Sequence, residues 1–468
     1  MTEFPHQLLI SNYGNKKEES VICKSLIRAV PSNRDVYEAI WHKTDIILKV
    51  FSNGLWGRRH LNKEWQGLAG LRERGLNCPK PLFWGRTQDG CWAVAQEKIL
   101  DASTVLEVFK NIGGDAEKLN LLIAVCRELA KQHSRGVLQK DFHLGNFLLK
   151  KGEIFTIDTG QICFYSDEVE RKKSLFQAAA LGNVLGDEEV KNIRRLYEEY
   201  FACREWELYK SDLAMLEKQR FKNKKLSIQK GLRKCLRPSK RHLRVKLDGF
   251  LAMLERDFFP QDEAVDFVKR IDELMSQGAI LKRGNTCYVS KVCWKGKEVV
   301  IKRYNDKGFI HSLRNSIMRT RARRGWLHGH RFEMLGIPTA RPIGFIEKRD
   351  GILVRKSYFI SEYIEGESLY NFLQNEIDKV RQMRICRQIV DVFQKLDKYH
   401  IVHRDLKYSN ILIANDGPKL IDLDSVCLPK LGWWYKIRRK KSMRRFKECG
   451  GDYPDFLSNL KIVNSNQN

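Results

Sequence analysis

The feature that most constrains this chain is a spacing that occurs twice. Asp141 and Asn146 stand five residues apart, and Asp158 follows Asn146 by twelve; Asp405, Asn410 and Asp422 repeat both intervals. In each copy the Asn leads into a Leu/Ile-rich run, and the closing aspartate follows an isoleucine. A single D-x-x-x-x-N is no more than a turn capped by an asparagine. Two copies at one spacing predict an internally duplicated fold. The apolar run Ile411-Leu412-Ile413 reads as a buried strand.

Those residue types suit phosphoryl transfer. That reaction needs a carboxylate to orient the attacking hydroxyl, with an amide oxygen and a second carboxylate to hold Mg²⁺ on the phosphates of ATP. Asp141 and Asp405 fit the first role, and Asn146, Asp158, Asn410 and Asp422 the metal-holding roles. Upstream of each set lies an apolar strand with a lysine inside it, Ile46-Ile47-Leu48-Lys49-Val50-Phe51 and Val299-Val300-Ile301-Lys302. A lysine there is costly unless it meets an anion, so Lys49 and Lys302 are candidate phosphate ligands. Glu64, on a helix expected over 58–74, is placed to pair with Lys49. Aligning the two halves sets Gly325 opposite Glu64, so the second half lacks that carboxylate, with Glu333 a poorly placed substitute. Glu97 and Glu362 end the strands that read as nucleotide-binding hinges. Lys407, two residues after Asp405, can reach a γ-phosphate as a point charge, whereas His403 reads as a support for the loop backbone.

The phosphate loops are thin. Pro31 to Val36 has no glycine, which leaves Ser/Asn groups and Arg34 to replace part of the cradle, and Gly284-Asn285-Thr286 has one. The boundary between halves is expected near Pro260: residues 1–260 with a basic helical extension over 162–260, then residues 261–468 ending in an aromatic and basic tail.

Charge narrows the partners. With 85 Lys+Arg against 57 Asp+Glu, the 468-residue chain carries +28, which implies an anionic partner. From Lys218 to Lys246 there is no acidic residue, and Trp433-Trp434-Tyr435 runs into a string of Lys and Arg. Both stretches suit a membrane surface, although each also reads as an ordinary solvated or packed helix. Nucleic acid is disfavoured, because Phe221 stands nearly alone as a stacking aromatic in the first stretch. No signal peptide or membrane span is expected. Twelve scattered cysteines without a C-x-x-C pair argue against a zinc site and a disulfide framework. His311, His328 and His330 lack ligand spacing and read as structural or solvated.

With these residues identified, both halves resemble the lipopolysaccharide core kinase family, the heptose and Kdo kinases of Gram-negative bacteria. The resemblance rests on Gln139 through Asn146, Gly336 through Pro342, and His403 through Asn410. It implies an α+β chain of two tandem protein-kinase-like bilobal domains, each a strand-rich lobe on a helical lobe. It implies ATP-dependent phosphorylation of an inner-core sugar hydroxyl, with the enzyme cytoplasmic and peripheral on the inner membrane. The absence of Ala-Pro-Glu after Asp158 or Asp422 favours a sugar or lipid acceptor over a peptide. The alternatives are a protein Ser/Thr kinase, suggested by His403-Arg404-Asp405-Leu406-Lys407, and a partly pseudokinase scaffold in envelope biogenesis.

Overall fold

A computed structural model describes residues 4–30, 34–186, 189–284, 287–305 and 319–451, with 453, 454, 456 and 458. The chain divides into two compact units, Met1–Lys225 and Leu226–Asn468. Each mixes helix and strand, in accord with an α+β composition.

The first unit begins with six strands: β1 (His6–Asn12), β2 (Glu18–Val30), β3 (Arg34–Trp41), β4 (Thr44–Phe51), β5 (Pro81–Thr87) and β6 (Trp92–Glu97). They close into a barrel in the order β1-β2-β3-β4-β6-β5. Alternation along β2 turns Val21 and Cys23 inward, where they meet Ile10, Ala39, Ile46, Leu48 and Phe83. Helix α1 (Leu55–Glu73) lies between β4 and β5 in sequence, matching the expected helix. Helix α2 (Asp115–Ser134) buries Leu119, Leu122, Cys126, Leu129 and Ala130 on one face, as the 3.6-residue period predicts. That face packs against helix α3 (Val190–Cys203), through Ile193, Leu196, Tyr197 and Tyr200.

In the second unit seven strands form one sheet. In chain order they are β7 (His242–Leu247), β8 (Phe250–Glu255), β9 (Ala279–Arg283), β10 (Cys287–Trp294), β11 (Lys297–Tyr304), β12 (Pro342–Asp350) and β13 (Leu353–Glu362). Their spatial order is β7-β8-β12-β13-β11-β10-β9. Helix α4 (Arg321–Leu335) packs on β12 and β13. Helix α5 (Lys379–Lys398) buries Ile385, Ile389, Val392, Phe393 and Leu396, and helix α6 (Gly432–Cys449) lies near the end of the described residues.

Two expectations are corrected here. Residues 226–260 fall in the second unit, so the expected division at Pro260 lies inside it. The stretch 162–260 is also not helical throughout: β7 and β8 form a hairpin whose second strand pairs with β12, Ala252 opposite Ile346. The cause is local. Leu243 to Lys246 alternates in burial, Phe250 to Leu254 is an apolar run, and the turn between them is Asp248-Gly249 with Gly249 at φ +69°, a left-handed conformation that glycine adopts without a Cβ penalty. The helix expected over 314–331 is described only from Arg321, and His311 lies outside the described residues, as do Pro31 to Asn33 and Asn285 to Thr286 of the candidate phosphate loops.

Candidate active sites

The repeated spacing has a structural cause. In the first unit a single 3-10 turn, Leu144–Asn146, delivers Asn146 to the start of a short strand, Phe147–Lys150. That strand pairs with Glu153–Thr156, and the hairpin returns the chain so that the Ile157 amide donates to the Asn146 carbonyl at 2.9 Å. The second unit repeats the construction with Tyr408–Asn410, Ile411–Ala414 and Gly417–Leu420. There the Ile421 amide donates to the Asn410 carbonyl at 3.0 Å. Asn and Asp therefore occupy the two ends of one hairpin of fixed length. Both closing aspartates are left-handed, Asp158 at φ 57° and Asp422 at φ 64°. A non-glycine residue held there costs about 1–3 kcal/mol, and such strain gathers at functional sites.

In the first unit Lys49 lies on β4 between Val36 of β3 and Val94 of β6. Its ammonium ion-pairs with Glu64, which is 1% exposed on α1. Glu64 also accepts from the Thr159 amide at 3.2 Å and the Gly160 amide at 3.1 Å. The helix carboxylate thus ties the lysine strand to the turn that follows Asp158. Asn146 donates from Nδ2 to the Asp141 carbonyl at 2.8 Å, so its amide oxygen is the atom left for a cation. A cleft of about 330 Å³ brings together Lys49, Glu97, Asn146 and Asp158, with Arg28, Arg34 and Lys98 adding positive charge. Asp141 is exposed on the loop and is not part of that lining. Arg34 holds Asp158 at 2.9 Å and 3.3 Å. Burial works to raise the Asp158 carboxyl, but Arg34 and Lys49 outweigh it and keep it below the usual carboxylate range.

In the second unit the cleft is larger, about 450 Å³, and Lys302, Glu362, Asn410 and Asp422 line it. Asp405 and Lys407 lie outside that lining. Asn410 donates to the Asp405 carbonyl at 2.8 Å and to its carboxylate at 3.1 Å. Lys407 pairs with Asp405 at 3.3 Å, and Arg445 of α6 does so at 3.0 Å. His403 is buried with its Nε2 at 2.9 Å from the Ile421 carbonyl, the backbone support expected of it. Glu333 does not substitute for the missing helix carboxylate; it pairs instead with Arg241 at 2.8 Å and His330 at 3.0 Å.

What holds Lys302 is a residue that sequence reasoning missed. Its ammonium ion-pairs with Asp422 and reaches Asp424 at 3.5 Å. Asp424 is 2% exposed and takes Arg321 of α4 at 2.5 Å. The two units place the carboxylate differently: the first has Glu64 on the helix and Gly160 on the turn, the second Gly325 and Asp424. Space is tight at both glycines. A Cβ at Gly160 would lie 3.0 Å from the Glu64 carboxylate, and one at Gly325 would lie 3.2–3.4 Å from the Phe359 ring. Burial and the neighbouring Asp422 push the Asp424 carboxyl up, against the pull of Lys302 and Arg321. Burial opposes ionisation of Asp422, but Asp424 and Lys302 hold it low. The visible signal was Asp424 itself, a carboxylate that stands where the first copy has glycine.

Hard oxygen donors, one amide and one carboxylate per unit, suit Mg²⁺, and the cationic strand lysines suit a phosphate chain. Comparison with known proteins points the same way. The model of the lipopolysaccharide kinase (Kdo/WaaP) family matches residues 276–433, which contain Lys302, Asp405, Asn410 and Asp422. Among curated proteins, a probable serine/threonine-protein kinase KIN1 homolog of Enterocytozoon bieneusi is 40% identical over 68 residues, 14% of this chain and 11% of its own length. The dual specificity protein kinase zakA of Dictyostelium discoideum is 39% identical over 70 residues, 14% of this chain and 9% of its own. Protein kinase kin1 of Schizosaccharomyces pombe is 29% identical over 119 residues, 24% and 12% of the two chains. The chain thus spans about a tenth of the length of these relatives. In every case what it is similar to is a phosphotransferase, matched over a part of its length.

Proposed function

We propose that residues 226–468 form a kinase-like domain that transfers the γ-phosphoryl group of ATP to a sugar hydroxyl of the lipopolysaccharide inner core. Residues 1–225 are then a second kinase-like domain of the same construction. The observation that carries the reading is one cleft, inside the region matched by the lipopolysaccharide kinase family, lined by Lys302, Asn410 and Asp422 with Asp405 on the adjoining loop.

Each residue has a physical role in this reading. Lys302, fixed by Asp422 and Asp424, presents its ammonium to the phosphates. Glu362, at the end of β13, faces the adenine side, as Glu97 does in the first unit. Asn410 and Asp422 hold Mg²⁺, which when bound neutralises charge on the phosphates. Asp405 orients the acceptor hydroxyl and takes its proton as the new O–P bond forms and the bond to the ADP oxygen breaks. Lys407 and Arg445 flank that carboxylate and meet phosphate oxygens as they draw near. Lys49, Glu64, Asp141, Asn146 and Asp158 take the matching roles in the first unit.

Support for a glycolipid at a membrane comes from α6. One side of this helix docks on its own unit, with Phe446 buried and Ser442 donating to the His403 carbonyl at 2.7 Å. Trp433, Trp434 and Ile437 remain exposed, beside Lys436, Lys440 and Lys441. Exposed indoles next to cations suit a headgroup layer, so the proposed location is the cytoplasmic face of the inner membrane. No helix among the described residues is long and apolar enough to cross a membrane.

A second reading applies to the first unit. Arg34 grips Asp158 through both oxygens, whereas Asp422 meets the strand lysine expected beside a phosphate, which favours a nucleotide-binding or scaffold role in the first unit without transfer.

The acceptor is tested by offering the full chain [γ-³²P]ATP with dephosphorylated lipopolysaccharide core or with a generic basic protein. Label in the core alone is the expected result. Label in the protein alone would replace this reading with a protein kinase.

A further inference from the structure

Away from both clefts, the second unit holds a buried cluster with the chemistry of a metal site. The ligand atoms of Cys235, His242 and His330 all lie within 4.8 Å of one another, and all three residues are buried. Glu255 stands beside them. Its Oε1 is 3.2 Å from His242 Nε2 and 3.6 Å from His330 Nε2, and its side chain is fully buried.

The two imidazoles are oriented in one way. His330 turns its Nδ1 to the Glu333 carboxylate at 3.0 Å, and His242 turns its Nδ1 to the Ser239 hydroxyl at 3.3 Å. Neither Nε2 makes an aligned hydrogen bond, and both face Glu255 Oε1. A metal-binding histidine characteristically donates its other N–H to a carboxylate or similar acceptor, which fixes the tautomer and points the free lone pair at the ion.

From these contacts we infer that Cys235, His242 and His330, with Glu255 Oε1 in the fourth position, form a structural site for a zinc-class divalent cation. Nitrogen, sulfur and oxygen donors in a closed tetrahedron are the preference of Zn²⁺. Its bond lengths place tetrahedral ligand atoms roughly 3.3–3.7 Å apart, close to the two Nε2–Oε1 separations; the Cys235 sulfur has to draw inward. Zinc would displace the thiol proton to solvent, and the thiolate with the Glu255 carboxylate then balances the two positive charges. Arg241 Nε spans both Glu255 oxygens, 2.9 Å from Oε1 and 3.0 Å from Oε2, so zinc on Oε1 would leave Arg241 to Oε2, which also takes Arg341 at 3.3 Å; Arg241 is shared with Glu333 at 2.8 Å. The Trp326 indole donates to the Cys235 carbonyl at 3.0 Å and lies against the His330 ring at 4.1 Å, walling the site from water.

The site would staple four segments: the turn after the helix Lys210–Lys234, the start of β7, the end of β8, and α4. The same α4 carries Arg321, so the staple also fixes the helix that holds Asp424.

The test uses the full chain purified without a histidine tag. Elemental analysis is expected to give about one zinc per chain, as a tight structural site should. Cobalt added to the metal-stripped protein should produce a thiolate-to-cobalt charge-transfer band and the visible bands of a four-coordinate ion, and Cys235→Ser should abolish the former. Glu333→Gln, which leaves all four ligands in place, should weaken zinc binding about 10–100-fold in chelator competition; this variant decides the matter if Cys235→Ser does not fold. Substoichiometric zinc together with no cobalt–thiolate band in folded wild-type protein would overturn the inference and leave a hydrogen-bonded histidine cluster.

Discussion

Lys302 depends on a carboxylate that arrives from the turn rather than from the helix. Asp424→Asn should therefore weaken ATP binding by the second unit, while an Asp416→Asn control at the exposed hairpin turn leaves it near wild type, both measured by titration calorimetry. The first unit offers a reciprocal test. Glu64→Gly and Gly160→Asp should each lower stability, the first by about 3–5 kcal/mol because it strands the buried Lys49, and the second because a side chain at 160 meets the Glu64 carboxylate. The double variant imports the arrangement of the second unit and should recover part of the combined loss in denaturant unfolding; strictly additive losses would show that the two positions are not exchanged equivalents. At this scale the sequence revealed what is local in the chain. Asp405, Asn410 and Asp422 were readable because one hairpin fixes their spacing. Asp424 and Arg321 were not, since their pairing joins a turn to a helix far away in sequence. The Cys235, His242 and His330 cluster was hidden for the same reason, its residues coming from separate elements with no motif spacing.

Between elements, buried polar contacts tie the helices together. His133 of α2 places Nδ1 at 2.6 Å from the Tyr200 hydroxyl of α3 and Nε2 at 2.7 Å from the Gln177 amide oxygen. Burial depresses its pKa to about 4, with Arg204 adding to the effect and Gln177 opposing it. The unfolded chain binds that proton near the ordinary value of 6.5, so protons favour unfolding. Stability from this residue is full above about pH 6.5 and is lost as the pH falls towards 4, on the order of 3 kcal/mol over the window. His328 of α4, pushed to about 3 by burial and nearby arginines, acts in the same sense in the second unit. Urea unfolding of wild type at pH 7 and pH 4.5 should show the loss, and His133→Asn should flatten it for the first unit. Element types were largely readable from periodicity: α1, α2, α5 and the lysine strands lie where the patterns predict. The β7–β8 hairpin lies where the chain is expected to be largely helical, because the dense Lys and Arg of 218–246 suggest a solvated helical face. The Asp248-Gly249 turn and the alternation before it carried the opposite message, and they also explain why the division between units falls earlier than Pro260.

At the scale of the whole chain the surplus of 28 positive charges calls for an anionic surface. Binding to vesicles containing anionic lipid should weaken steeply as salt rises from 50 to 500 mM, because exposed charges are screened within about 10 Å at 0.1 M. Trp433→Ala with Trp434→Ala should reduce the binding that survives high salt; vesicle affinity indifferent to both salt and these substitutions would remove membrane recruitment from the account. Charge could announce an anionic partner from composition alone, but whether the tail was a packed helix or a free arm depended on Ser442 and Phe446 finding the loop that carries His403 and Tyr408. The central claim is that the second unit is a phosphotransfer site, and the most direct measurement is the single-turnover rate of ³²P transfer by wild type, Asp405→Asn and Asp141→Asn. The account predicts that Asp405→Asn lowers the rate about 10²–10⁴-fold, the range for a positioned acid–base group, with nucleotide binding retained. Transfer undiminished in Asp405→Asn would contradict it.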